Sequence, residues 1–145
     1  MTPPDLTGRW DIVSWLQLYD DGRRQAPLGE NLEGFIRYLD DGEMICMIAN
    51  ADQPNFATGG QWNGSEAERA RAYGSMLAYA GTYSIDGETV THSVRQSLFP
   101  NWKGGDQKRH VRLDGDTLYI EAHLEQGTSE ARTAQLKWHR AGGDA

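Results

Sequence analysis

His92 and Arg109 are the two side chains best suited to chemistry on a small molecule. An unperturbed imidazole titrates near pH 6.5, so a histidine inside a cavity is a natural proton carrier. A guanidinium is always cationic and grips a carboxylate, enolate or phenolate through a planar fork of N–H donors. Together the pair suits a cofactor-free, non-redox step (isomerisation, dehydration or cyclisation), with His92 moving a proton and Arg109 steadying negative charge. Each residue also has a plainer reading. His92 suits a neutral core histidine bonded to tyrosine or glutamine, and Arg109 suits a side chain that reaches the rim or pairs with Asp106 or Asp52.

Turns decide what carries these residues. Asp-Gly between alternating apolar runs is a strong hairpin signal, because a type I′ turn needs positive φ at both central residues. It occurs at Asp21-Gly22, Asp41-Gly42, Asp86-Gly87 and Asp114-Gly115. The last three join 34–40 to 43–49, 79–85 to 88–98, and 107–113 to 116–124. A first strand near 8–18 and a last near 131–140 bring the total to about eight, enough to close a barrel around one small ligand. The expected fold class is therefore all-β, a single closed antiparallel up-and-down barrel spanning residues 1–145. One helix interrupts it between the third and fourth strands. There Ser65-Glu66-Ala67-Glu68 reads as a capping box, and Ala70, Tyr73, Gly74 and Leu77 form a small-residue face suited to close packing on the barrel. The three tight hairpins fall at one end, the bottom, and the longer connections at the other, the top.

Hairpin register separates inside from outside. Around Asp86-Gly87, Tyr79, Gly81, Tyr83, Val90, His92, Val94, Gln96 and Leu98 share a face. The opposite face is almost wholly polar, so this one points inward. Around Asp114-Gly115 the inward set is Gln107, Arg109, Val111, Leu118, Ile120, Ala122 and Leu124, with Lys108 opposite Glu121 outside. In the first strand Trp10, Ile12, Ser14, Leu16 and Leu18 are the expected inner face. Val13 and Trp15 are then outward, a sticky surface suited to a homodimer. Around Asp41-Gly42 both faces are apolar, and the pattern does not choose between Tyr38 and Arg37. The expected ligand contacts are thus Ser14, Tyr79, Tyr83, Gln96 and Gln107 within the barrel. Asn101 and Trp102 suit the entrance, and Phe56 and Trp62 in the long 50–64 segment suit a lid.

Composition narrows the partners. A net charge of −7 and a pI near 5.0, without a Lys/Arg cluster, argue against nucleic acid and anionic membranes. No apolar run approaches the ~20 residues that span a bilayer, and the start Met1-Thr2-Pro3-Pro4-Asp5 has neither a basic nor an apolar leader region. Cys46 is the sole cysteine, which excludes an internal disulfide and agrees with a reducing, cytoplasmic setting. Within the run Met44-Ile45-Cys46-Met47-Ile48 it reads as a small buried hydrophobe. His110, His123 and His139 are scattered and outward, without metal-ligand spacing, so no metal is expected. Without a glycine-rich loop between strand and helix, no nucleotide cofactor is expected either. The inward set offers no acid for a Ser14–His92 triad or for paired-carboxylate chemistry. A glycine-rich tail follows from Gly142.

Several stretches are familiar as a set. They are Leu6-Thr7-Gly8-Arg9-Trp10, Tyr38-Leu39-Asp40-Asp41-Gly42, Ala78-Tyr79-Ala80-Gly81-Thr82-Tyr83, Val90-Thr91-His92, Pro100-Asn101-Trp102-Lys103-Gly104, Gln107-Lys108-Arg109 and Trp138-His139-Arg140. In this order the chain resembles the small bacterial and fungal lipocalin-like domain family. The resemblance implies an eight-stranded barrel with an internal pocket, and no particular reaction. Gly8-x-Trp10 with a late arginine also resembles lipocalins generally, which implies that Arg140 covers Trp10 at the closed end, a cation–π contact of ~1 kcal/mol. Three functions compete on these grounds. The leading one is a pocket for a small, largely apolar or aromatic, weakly acidic metabolite, with acid/base catalysis by His92 and Arg109. The others are a non-catalytic carrier or sequestering protein, and an interaction protein whose barrel is filled by its own side chains.

Overall fold

A computed structural model describes residues 4–142, which leaves Met1 to Pro3 and the end of the glycine-rich tail outside the described residues. The alternating runs become β1 (Gly8–Tyr19), β2 (Arg24–Gln25), β3 (Leu32–Tyr38), β4 (Glu43–Asn50), β5 (Met76–Asp86), β6 (Thr89–Ser97), β7 (Asp106–Asp114), β8 (Thr117–Leu124) and β9 (Arg132–Arg140). Helix α1 (Glu66–Gly74) lies between β4 and β5. All pairings are antiparallel, and β1 bonds to both β3 and β9, which closes an 8-stranded barrel. The two-residue β2 is a rung on β1 alone.

Two of the three tight hairpins close one residue later than Asp-Gly turns imply, and the third pairs Tyr38 with Met44 around a longer loop. Asp86 pairs with Thr89 and Asp114 with Thr117, so the tight loops are Gly87-Glu88 and Gly115-Asp116. Moving both arms together keeps every residue on its face but changes its partner. His110, not Lys108, therefore stands opposite Glu121.

Two β-bulges invert the inner face locally. On β1, Ile12 pairs with Trp138 but Ser14 with Lys137, leaving Val13 as the extra residue. Beyond it Trp15 and Gln17 turn inward while Ser14 and Leu16 turn away, which overturns the alternation read for Ser14, Leu16 and Leu18 and the outward reading of Trp15. On β6, Gly81 pairs with Val94 and Ala80 with Gln96, so Arg95 bulges and Gln96 is exposed rather than inward. Gly81 permits this crowding, because a Cβ there would collide with the Ser93 carbonyl. The β3–β4 hairpin, ambiguous in sequence, buries Ile36, Tyr38, Met44, Cys46 and Ile48 and leaves Arg37 exposed.

The lower barrel is packed solid by Trp10, Trp138, Tyr38, Val90, Val111 and Leu118. Trp10 Nε1 donates to the Leu6 carbonyl at 2.9 Å, and the Arg140 guanidinium lies 4.1 Å from the centre of the Trp10 ring. At the top, α1 begins with the capping box, Ser65 and Glu68 each accepting from the other's backbone N–H. No residue of this helix is buried, so it rests against the barrel rather than packing closely; its charged Glu66, Glu68, Arg69 and Arg71 favour water. Gly81→Ala should destabilise the barrel by about 2–3 kcal/mol in chemical denaturation, since the strand backbone opposite cannot give way. A loss below about 0.5 kcal/mol, the scale of a neutral surface change, would remove the bulge from the account.

Candidate functional site

Above the packed floor the barrel opens into a cavity of about 340 Å³. Alternation on β5, β6 and β7 brings Tyr79, His92, Gln107 and Arg109 to it, and the Val13 bulge adds Trp15 and Gln17. Ile120, Ala122, Leu124, Leu136 and Trp138 supply an apolar wall. Such a volume sits at the small end of ligand pockets, which run to roughly 300–1,000 Å³.

His92 lies at the boundary between floor and cavity, 1% exposed. Its Nε2 is 2.6 Å from the Tyr38 hydroxyl and its Nδ1 is 3.0 Å from the Tyr79 hydroxyl. Burial, reinforced by the positive charge of Arg109, pushes its pKa down to about 3, so it is neutral at physiological pH. One ring nitrogen then donates and the other accepts. Tyr38 settles which. Among the described residues its hydroxyl has no hydrogen-bond partner but His92, and a buried O–H left without an acceptor costs about 1–3 kcal/mol. Tyr38 therefore donates to Nε2, and Nδ1–H donates to Tyr79. The Tyr79 proton is left free to point at the cavity or at the neighbouring Cys46 sulfur, a weak acceptor. Burial raises the pKa of both tyrosines and pushes Cys46 up to about 12, so all three stay protonated.

The lining of the cavity carries cationic and N–H groups but, among the described residues, no carboxylate. Four buried side-chain nitrogens lack a protein acceptor: Trp15 Nε1, Gln107 Nε2, Arg132 Nε and Trp138 Nε1. All four residues line this one cavity. Arg109, half-buried, gives one N–H to the Lys108 carbonyl at 3.0 Å and has no carboxylate within ion-pair distance among the described residues. Asp106 instead accepts from Ser93, and Asp52 from Asn31. No Asp or Glu side chain is among the described residues that line the cavity.

The other expected contacts fall elsewhere. Ser14 and Gln96 lie beyond the bulges on the outer surface. Tyr83 is inward but belongs to the floor, donating to the Leu39 carbonyl at 2.9 Å and meeting Tyr38 edge-on. Trp102 reaches the cavity and stands edge-on to Tyr79, whereas Asn101 is exposed in the same turn. Trp62 is 85% exposed, and Phe56 packs on Gly64. Neither lines the cavity: Glu68 accepts from the Ala57 N–H, Arg69 donates to the Gly64 carbonyl and Gln53 to the Ser75 hydroxyl, which together tie the 50–64 segment to α1 and its end.

Tyr38, Trp15, Gln17, Arg132 and Trp138 join the site without having been singled out for it. The adjacent Ile12 and Val13 ahead of Trp15, and Arg95 and Gln96 after Val94, mark where alternation breaks. Arg132 is placed opposite Leu124 and Tyr19 by a β8–β9 register that the long 125–131 connection left open.

The unfolded chain takes a proton on His92 near pH 6.5, while the folded protein resists it down to about pH 3. Below pH 6.5 the unfolded state binds more protons and stability falls with pH; above 6.5 this contribution is constant. Between about pH 6 and pH 4, His92→Gln, which keeps an acceptor for Tyr38, should lose stability less steeply than the parent by up to about 1.4 kcal/mol per pH unit. Equal slopes in urea denaturation would contradict a neutral, buried His92.

Comparisons with known proteins agree with this architecture. The crystal structure of an uncharacterized protein from Bacteroides eggerthii superposes with a TM-score of 0.50, covering 93% of this chain and 99% of the other at 14% identity, a likeness of fold alone. A carrier protein for 4′-hydroxy-3′-methoxypropiophenone from Aspergillus oryzae is 33% identical over 66 residues, 40% of this chain and 60% of that protein's length. The lipocalin-like domain matches residues 7–141, nearly the whole chain. By that match and by its closed barrel, the chain belongs to the lipocalin-like domain family.

Proposed function

We propose that the barrel binds and holds a small aromatic metabolite bearing an acidic or strongly accepting oxygen, such as a phenol or an aryl ketone. One observation carries this reading: Arg109, without an ion-pair partner among the described residues, lines one cavity together with four residues that carry buried, unpartnered N–H groups, and no carboxylate lines it. Buried donors are costly unless satisfied, and each favours a ligand oxygen over a carbon atom. The apolar wall of Ile120, Leu124 and Leu136 suits the ring. The fungal relative, named for carrying a hydroxylated and methoxylated aryl ketone, supports the same ligand class.

Holding fits the site better than transforming. A histidine neutral to about pH 3 is a weak base, and both of its ring nitrogens are taken by tyrosine hydroxyls, Tyr38 and Tyr79, which leaves neither free for a ligand. Catalysis of a cofactor-free isomerisation, dehydration or cyclisation remains the second reading, favoured by one feature. Tyr79, polarised by His92 from behind, is placed to lend a proton to a ligand oxygen while Arg109 steadies the charge. The cavity itself counts against a barrel filled by its own side chains. A homodimer through β1 has lost Trp15 to the interior and keeps the exposed Val13. Among the described residues no helix is long and apolar enough to cross a membrane.

In a tryptophan-fluorescence titration, 4-hydroxyphenyl ketones should bind, and Arg109→Met should weaken them by about 10- to 100-fold, the worth of one charge-assisted hydrogen bond. A benzylammonium ion of similar size should not compete. Equal binding of amine and phenol, or an indifferent Arg109→Met, would sink the proposal.

A further inference from the structure

A second chamber of about 250 Å³ adjoins the cavity under the C-terminal end of α1. The two share Trp15, Leu77 and Trp102 as a common wall. Trp102 is the partition: its ring stands edge-on to Tyr79 on the cavity side, at 5.6 Å, and edge-on to Phe99 on the chamber side, at 5.5 Å. A short 3₁₀ turn, Pro100–Trp102, holds it there.

The two spaces differ in chemistry. The cavity carries the charge and the unpartnered donors, whereas the chamber has no Asp, Glu, Lys, Arg or His among its described lining. Leu28, Met76, Leu98 and Phe99 form its walls. Tyr73, Leu98 and Phe99, 48%, 39% and 38% exposed, stand around it, an exposure of large apolar groups that a water-filled dent gains nothing from.

We infer that this chamber is a subsite for an alkyl or acyl tail of the same ligand, whose oxygenated ring sits in the cavity. The inference rests on the binding reading above and sharpens its ligand class, from a small aromatic molecule to an aromatic head with an unbranched apolar extension. The two spaces abut at Trp15, Leu77 and Trp102, so a tail that turns the Trp102 ring aside reaches from one into the other. The uncharged, mainly aliphatic and aromatic lining favours hydrocarbon over charged or strongly polar atoms, because burying such a tail among Leu28, Met76, Leu77 and Leu98 is costly.

A homologous series of 1-(4-hydroxyphenyl)alkan-1-ones, from the acetyl to the octanoyl member, tests this by fluorescence titration. Once the tail passes Trp102, each added methylene should tighten binding by about fourfold, the transfer value for a buried CH₂. Leu98→Asp and Tyr73→Asp, on different elements of the chamber lining and exposed enough to fold, should each flatten the series and leave the acetyl member's affinity unchanged. A series that is flat in the parent protein, with the acetyl member bound, would overturn the tail subsite alone. A rise that persists in both variants would place the tail elsewhere and overturn it too. Failure of every member to bind, acetyl included, would overturn the head-group reading and this inference together.

Discussion

The hydrogen bond from Tyr38 to His92 Nε2, 2.6 Å long, is the constraint on which the interior depends. Tyr38 is sealed in the floor and must donate its proton, and His92 is the acceptor within reach. That requirement keeps the imidazole neutral, selects its tautomer and aims Nδ1–H at Tyr79. Burial and the nearby Arg109 act in the same direction, since both penalise an imidazolium. A single buried polar pair thus divides the barrel into a packed half that supplies stability and an open half that presents donors.

Polarity within the open half follows from what the strands leave out. β6, β7 and β8 turn inward with apolar groups, His92, Gln107 and Arg109, while their acids, Asp106, Asp114 and Glu121, stay outside. The indoles of Trp15 and Trp138 add N–H groups without an acceptor, and Arg132 adds its Nε while Glu125 and the Glu130 carbonyl hold its other end. In a low-dielectric enclosure such donors act more strongly than in water, and they favour charge or lone pairs of one sign. A protein with net charge −7 thereby keeps a locally positive interior.

Much of this was legible in the residues. Asp-Gly turns and apolar alternation pointed to eight strands, the helix start, and the inward placement of His92, Gln107 and Arg109, because two-residue periodicity survives a shift of both hairpin arms. Bulges defeated the same reasoning. One extra residue at Val13 and one at Arg95 inverted everything beyond them, which exchanged Ser14 for Trp15 and sent Gln96 outward. Gly81 was a visible trace of the second bulge, since a strand glycine often marks close backbone approach. Tyr38 was undecided because both faces of its hairpin are apolar, and only closure against β1 and β5 chooses between them. Phe56 and Trp62 illustrate a different limit. Sequence shows that a loop is long and aromatic, but side-chain bonds from Glu68, Arg69 and Gln53 hold it on the helix instead of over the mouth.

A bound ligand reports the sign of the cavity's electrostatics directly. The phenol of a bound 4-hydroxyphenyl ketone can be titrated by ultraviolet absorbance, where phenol and phenolate differ in spectrum. Arg109 and the carboxylate-free, N–H-bearing lining favour the phenolate, so its pKa should fall on binding relative to the same compound in buffer. A pKa that rises on binding would show that apolar burial outweighs the donors and would contradict the account.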